Sequence, residues 1–500
     1  MRSLFAVGWV VAMVAVSACG PGSGNGGAAD AGGGDAGVPE TGGATCAAVK
    51  TWDTQVTRVD ANDPNKNGPP LVAFDGAGNA MVVWERFDLG GSNAWTLWAS
   101  ERSAAGTWST PAQIDGAGSA GLKVEPMPSL AVSGDGSAAV LFQQETDPGG
   151  ADNASNPWYA LYAPGAGWGA ATPFFPATIA EQWTGHQYTR VAMDGKGNAV
   201  AVWGQDIGEK DASQPDFTLQ VYAARMAKGQ PWSSPVRLSN FLVNGTTDPP
   251  DVALAPNGDA IAVWGVEPGN SPIRMMAARL DGASGTWGAA QFIDQCTACA
   301  SNEGIVSRVA MDASANAMAV WTQGQSGGTH AAYGARYAAA SAAWSNAEQL
   351  DATLGTNLDA DQVEVAFDGA GNATAVWVNV SNDPSHPNNI IANRWTSGAW
   401  TGPTPLDLQN PGYNTRPAIA TDDLGDAMVV WDDQGSVWAE EYLASSESWG
   451  TQQHLDPQDS SAGFAVVGFA PGCPVALVAY QNATSQSGNN GAGIFAQMFR

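Results

Sequence analysis

Eight large aromatic residues recur along this 500-residue chain at intervals of 49 to 61 residues, and each has an alanine four positions before it. The pairs are Ala80 and Trp84, Ala138 and Phe142, Ala199 and Trp203, Ala260 and Trp264, Ala317 and Trp321, Ala373 and Trp377, Ala427 and Trp431, and Ala476 and Tyr480. The residues between them are apolar, as in Met81-Val82-Val83-Trp84, with Thr374 the one exception. A second series interleaves with the first and starts before it: Trp52, Trp108, Trp168, Trp232, Trp287, Trp344, Trp400 and Trp449. Self-similarity at a period of roughly 50–60 residues marks a fold built from one repeated supersecondary unit.

Each unit reads as four strands. The first is like Leu71–Phe74, and a turn such as Asp75-Gly-Ala-Gly78 leads to the second, 79–85. A variable polar loop precedes a third strand like Leu219–Arg225, and a tight turn precedes the fourth, which opens at the second-series Trp. The second strand has lost polar–apolar alternation, so both of its faces are buried. A small sheet held between two similar sheets meets that requirement, and radial repetition of such sheets makes a β-propeller. The reading is an all-β chain forming a single eight-bladed propeller of four-stranded antiparallel blades, with seven blades as the alternative count. Residues 52–60 have no strands before them, and the last unit ends after its third strand at Phe499-Arg500. The two fragments complete one blade, so the N-terminal strand closes the ring. The tryptophans of both series read as packing residues rather than sugar platforms, because they recur at fixed repeat positions.

These repeats resemble sialidase-like and Asp-box propellers. They are more similar to the Asp-x-x-Gly-Asn-Ala…Val-Trp repeats of bacterial surface lipoproteins, as in Asp75-Gly-Ala-Gly-Asn79-Ala80 through Trp84. The resemblance covers residues 48–500. No complete Ser/Thr-x-Asp-x-Gly-x-Thr-Trp Asp box is present.

Residues 1–18 have one basic residue, an apolar run from Leu4 to Val16, and Ser17-Ala18 before Cys19, the pattern of a secretory leader. Val16-Ser17-Ala18-Cys19 resembles a lipobox, which implies lipidation at Cys19. Gly20, where an inner-membrane lipoprotein would carry Asp, implies the outer membrane of a Gram-negative-type bacterium, facing either the cell surface or the periplasm. Residues 19–47 form a Gly-rich tether that cannot bury enough apolar surface to offset its ordering entropy. The membrane is then reached only through lipid at Cys19.

Twenty Lys and Arg face 48 Asp and Glu, for a net charge of −28. Like charge repels phosphate, so nucleic acid is excluded as a partner. Cys46–Cys473 and Cys296–Cys299 are the expected disulfides of an oxidising compartment. Cys473 falls in the first turn of the last unit, and Cys46 just precedes the strand that completes that blade. Cys296-Thr-Ala-Cys299 has redox-motif spacing but no βαβ context. The recurring Asp-x-x-Gly-Asn turn reads as a hairpin, with calcium as the alternative; one carboxylate per turn is too few for a cage. No cofactor and no metal site are expected.

Arg190, Asp251, Arg308 and Glu364 occupy one position in four successive units. Alternating sign points to paired ions at the channel mouth rather than a catalytic arginine cluster. The histidines, His186, His330, His386 and His454, lie in four different repeats. No catalytic residues are assigned, although a glycosidase carboxylate pair remains open on composition alone.

The second-to-third and fourth-to-first loops share one face and are long, variable and polar, such as 145–156, 206–216 and 381–389. Second strands end there in Glu85, Gln143, Gln205, Gln323, Asn379, Asp433 and Asn482. One loop, 176–188, carries Trp183, His186 and Tyr188 outside every repeat position. With Glu181, Gln182, Gln187 and Gln205, these rings form the candidate ligand site, where aromatic faces stack on sugar and amides bond hydroxyls. The expected function is a monomeric, surface-anchored binding protein for a glycan or protein. A sialidase-like glycoside hydrolase is the alternative.

Overall fold

The computed structural model describes residues 50–61, 65–88, 94–116, 124–145, 155–174, 189–206, 218–239, 243–244, 250–266, 273–294, 306–325, 329–354, 358–381, 388–407, 414–456, 461–482 and 492–500. It is an eight-bladed β-propeller. The first strands, Lys66–Phe74, Val124–Val132, Thr189–Met193, Asp251–Leu254, Ser307–Met311, Leu358–Phe367, Asn414–Thr421 and Ala462–Phe469, stand round the axis, each touching the next, with the eighth against the first. We number the blades in that order.

Within blade 1, Lys66–Phe74 pairs with Ala80–Phe87, which pairs with Trp95–Arg102, all antiparallel. The second strand explains the architecture. Its side chains do alternate, but towards two different neighbours. Val82 and Trp84 pack with Val466, Leu477 and Ala479 of blade 8. Met81 and Val83 pack with Leu130, Val140 and Phe142 of blade 2. The same division recurs around the ring, giving eight apolar cores, one at each blade interface. Each first-series aromatic is buried in the core shared with the preceding blade; Trp203, for example, packs on Ala131, Ala139 and Leu141 of blade 2.

The second-series tryptophans are half-buried and seal the outer rims of the same cores, Trp168 beside the blade 1–2 core and Trp449 beside the blade 6–7 core. Aromatics of the third strands meet them: Tyr162 and Trp168, Tyr337 and Trp344, and Tyr442 and Trp449 have ring centroids 5.4, 5.5 and 5.5 Å apart.

The outer strand differs from the expected continuous segment. In blade 2 it is two short pieces, Gly167–Trp168 and Thr172–Pro173, both paired with Ser155–Ala163. In blade 3 Trp232 precedes the paired residues Val236–Arg237. Gly, Ser or Pro after every second-series Trp but Trp52 break the ladder, which leaves the rim of the propeller without long sticky edges.

Closure is made by the N-terminal segment. Thr57–Arg58 pairs with Gly493–Phe499, Trp52 bridges Phe499, and the Thr51 and Arg500 backbones exchange bonds of 2.6 and 3.0 Å. Lys50 fastens the entry by pairing with both Asp426 and, at 2.7 Å, Glu441 of blade 7.

The position of the anchor aromatics yields a prediction. Trp203→Ala empties a site between blades 2 and 3, and its expected cost is about 3–5 kcal/mol of unfolding free energy, measured by denaturant titration; a loss below about 1 kcal/mol places that ring outside the core.

Candidate functional site

First strands run toward the short turns and second strands run away from them, so one face carries the turns and the opposite face the long loops. Trp183, His186, Tyr188, Gln182 and Gln187 lie outside the described residues. Gln205 is described, at the loop-face end of Ala199–Asp206, with its side chain buried. Glu85, Gln143, Gln323, Asn379, Asp433 and Asn482 are buried there as well.

Below the loop face the axis holds a ring of charge. Arg190, Asp251, Arg308 and Glu364 stand opposite Val202, Val263, Val320 and Val376, the residues just before four anchor tryptophans, and so lie at one height. Arg308 Nε donates to Glu364 Oε2 at 2.9 Å, and Arg190 Nε lies 3.9 Å from Asp251 Oδ1. Asp251 Oδ2 also accepts the Val309 backbone N–H at 2.9 Å. Burial pushes the Glu364 carboxyl up to about 7 against the pull of Arg308. Ala418, Val466, Leu71 and Ser129 complete the ring in the other four blades. Two arginines therefore face two acids, and the charges lock blades together as the alternation of sign implied.

Nearer the mouth, three successive first strands carry a bulge with a side-chain-bearing residue in left-handed conformation: Gln362, Arg416 and Phe464, with φ of 53, 55 and 57°. Such backbone costs about 1–3 kcal/mol per residue and persists only where surroundings over-determine it. Here they do. The Arg416 backbone N–H donates to Gln362 Oε1 at 2.6 Å, and its guanidinium lies 4.2 Å over the Phe464 ring. Arg416 Nη1 reaches Asp432 Oδ2 at 3.2 Å, and Asp432 accepts the backbone N–H groups of Phe464 and Ala465. Burial raises the Asp432 carboxyl, and those N–H groups and Arg416 oppose the rise. A rigid strip of amide, guanidinium and aromatic ring thus runs across blades 6 to 8, with Gln362, Arg416 and Phe464 half-buried.

The two described histidines serve separate places. His330 Nδ1 lies 2.9 Å from Asp359 Oδ1, while His454 stacks on Trp438 at 4.6 Å and meets Asp456 at 3.1 Å. They share no centre.

One set of residues was missed in the sequence. Seven positions after most second-series tryptophans stands a buried acid behind an aliphatic: Ile114-Asp115, Ile293-Asp294, Leu350-Asp351, Leu406-Asp407 and Leu455-Asp456, with Leu238-Ser239 in blade 3. Asp351, Asp456 and Ser239 accept the third-strand N–H groups of Ala332, Val437 and Val221 at 3.1, 2.7 and 3.0 Å. The role is structural, and the fixed offset from Trp was the signal that could have found it. Blade 7 adds an oddity. Glu440 faces Asp407 at the blade 6–7 interface, is buried, and has no cation at ion-pair distance among the described residues. Burial first, then Asp407, push Glu440 up to about 8.

The repeated turns have their carboxylates engaged. Asp75 Oδ1 accepts the N–H groups of Ala77 and Asn79 at 2.9 and 2.8 Å, and Asn79 in turn accepts the Ala104 N–H at 2.8 Å. Asp194, Asp312 and Asp368 repeat the bonds. These are hairpin turns, and Asn198 and Asn316, like Asn79, clip theirs to the next turn of the same blade. Among the described residues no group of three metal-ligating side chains could hold an ion. Cys473 is disulfide-bonded; Cys46, Cys296 and Cys299 lie outside the described residues, and so does Cys19.

No protein-family model and no curated protein match the chain. Solved structures similar in shape include the polysaccharide lyase Uly1, 9% identical with a TM-score of 0.49, over 78% of this chain and 92% of that one. A PL25 ulvan lyase bound to -[GlcA(1-4)Rha3S]- is 11% identical with a TM-score of 0.45, over 71% and 89%. The Dos1 propeller is 8% identical with a TM-score of 0.48, over 89% and 95%. At this distance they carry no argument about what the chain binds.

Glu440 generates a pH prediction. Its folded-state affinity for a proton exceeds that of an ordinary carboxyl near 4.5. The folded state then holds a proton that the unfolded chain has released, so stability falls as pH rises from about 4.5 to about 8. Glu440→Gln keeps the shape without the ionisation. Its melting temperature should fall less than that of the parent between pH 5 and pH 8, read by thermal melts in matched buffers; parallel curves would refute the assignment.

Proposed function

We propose that this protein is a surface-anchored binding protein that recognises a glycan or a protein through the loop face of the propeller. One observation carries the choice of binding over catalysis: three pairs of ionisable groups along the channel are committed to one another, Arg308 to Glu364, Arg190 to Asp251 and Arg416 to Asp432. A scaffold whose charges are already paired presents fixed polar and aromatic surface rather than a proton donor awaiting substrate. Loop diversity on that face, against repeated turns on the other, supports the same placement. Trp183, His186 and Tyr188 supply stacking surface in this reading, and Glu181, Gln182, Gln187 and Gln205 supply hydrogen bonds. A neutral sugar suits a chain of net charge −28 better than an acidic one on that loop.

The test is a glycan array probed with the parent and with Trp183→Ala/Tyr188→Ala, each also assayed for release of reducing ends. The expected result is saturable glycan binding without turnover, lost in the variant, with melting temperatures within a few degrees. Turnover by the parent would establish the glycoside hydrolase alternative, and loss of the fold in the variant would assign the two rings to packing.

We also propose that Cys19 is lipidated at an outer membrane, that residues 20–47 are the tether, and that Cys46 pairs with Cys473. Lys50 is fixed at the blade 7 turn by Asp426, and the Gly472 N–H donates to Asp423 of the same turn at 3.0 Å. The four residues from Cys46 to Lys50 reach at most about 14 Å, enough for that geometry. Non-reducing peptide mapping should recover a Cys46–Cys473 cross-link; a free Cys46 thiol would end the idea.

A further inference from the structure

The turn face is built from eight near-copies, so a departure at one repeat position is informative. One position on the third strands carries Glu101, Leu161, Arg225, Arg279, Arg336, Arg394, Glu441 and Met498, opposite Met81, Ala139, Val200, Ile261, Met318, Thr374, Met428 and Leu477. Charged residues here are clasped. Glu101 accepts the Tyr162 hydroxyl at 2.5 Å from blade 2. Arg279 donates to Asp259 at 2.7 Å. Arg336 lies 4.6 Å over Trp395 of blade 6. Arg394 pairs with Asp368 and lies 4.4 Å over Tyr442 of blade 7. Glu441 holds Lys50 at 2.7 Å.

Arg225 has none of these partners. The next blade offers Leu280 where its counterparts meet Tyr337, Trp395 or Tyr442. Asp194, the counterpart of the Asp368 that pairs with Arg394 in blade 6, is buried and makes no ion pair with Arg225, and the acid that holds Arg279 in blade 4, Asp259, stands where blade 3 has Asn198. Arg225 instead lies exposed against Gly285, where a Cβ would sit 1.8 Å from Nη1, so only glycine admits this pose. It borders a groove of about 400 Å³ between blades 3 and 4. Lys196, Gln230, Ser233 and Asn257 line the groove, Lys196 Nζ donating to the Pro256 carbonyl at 2.9 Å, Ser233 to the Ser234 carbonyl and Asn257 to Asp259, and Pro231 and Pro256 add flat apolar surface. The charges lining it are Asp194 against Lys196 and Arg225, a positive spot in an acidic molecule. The corresponding groove of blades 1 and 2 is lined by Asp75, Glu101, Asp135 and Arg102, and is acidic.

We propose that the blade 3–4 groove is a second binding site, on the face opposite the loops, for a hexuronate residue of an acidic glycan. The carboxylate takes the planar fork of Arg225 and the charge of Lys196. The Gln230 amide bonds a ring hydroxyl, and the prolines cover the C–H face. At physiological salt, distant acids are screened beyond about 8 Å, so the local sign of the groove decides binding.

The test is titration of the soluble chain, residues 46–500, with D-galacturonate, by NMR or calorimetry at two salt concentrations. Galactose and sulfate serve as comparison ligands. Arg225→Ala is compared with Arg237→Ala, an exposed arginine on the outer strand of the same blade. The expected result is saturable galacturonate binding that weakens with salt, falls at least tenfold in Arg225→Ala and is unchanged in Arg237→Ala, with both variants melting as the parent does. Absence of saturable binding, equal loss in both variants, or equal binding of galactose overturns the site. Sulfate bound as tightly as galacturonate overturns its assignment to a sugar acid.

Discussion

Among the described residues, every apolar core lies between two blades and none lies within one. The second strands show why: Val82 belongs with blade 8 and Val83 with blade 2, one residue apart on the same strand. A blade taken alone would expose both faces of its central strand. Stability therefore cannot be held locally, and the ring has to close. Closure rests on the few residues from Lys50 to Asp60, which supply blade 8 with its outer strand. Lys50 stands beside Glu441 at the repeat position where blades 3 to 6 carry an arginine, and it brings in from the N-terminal segment the cation that blade 7 lacks.

Interfaces of this kind are dry, and their polar groups need partners from the blade beside them. Arg308 and Glu364 come from blades 5 and 6, and Ser129 of blade 2 accepts the Val191 N–H of blade 3. Desolvation of each ion is offset only when the neighbour supplies its complement. Blades 6 to 8 solve the same problem by bending the backbone: Gln362, Arg416 and Phe464 take a left-handed conformation, and each supports the next.

The anchor aromatics, the count of eight and the closing strand were legible because they are side chains repeated with little change at one offset. The apolar run ending at Trp84 states its double burial directly. The aliphatic–acid pair was equally periodic, as Leu350-Asp351 and Leu406-Asp407 show, but a lone carboxylate after an outer strand looks like solvated loop until its backbone partner is seen. The third-strand clasps were not legible at all. Their members change from Glu101 to Leu161 to Arg225, and their partners come from the same blade, as Asp259 does, from the next blade, as Tyr162 does, or from the far end of the chain, as Lys50 does, so neither composition nor local spacing links them. The channel bulges were hidden for a related reason: nothing in Asp361-Gln362-Val363 announces a left-handed glutamine, which is fixed by Arg416 of the next blade.

Repetition also decides what counts as a signal on each face. Where copies agree, as in the turns that begin at Asp75, Asp194, Asp312 and Asp368, the residues are explained by the hairpin they close, and function cannot be read from them. Where copies differ freely, as on the loop face, difference alone selects nothing. Arg225 stands between these cases. Its position is structural in the other charged blades, so the loss of its partners is measured against an internal reference. The space beside it is lined by Lys196 and the Gln230 amide, with Ser233 and Asn257 held by the Ser234 carbonyl and Asp259. A guanidinium kept exposed over Gly285, in a chain with more than twice as many acids as bases, is the place where the turn face of the propeller stops being scaffold.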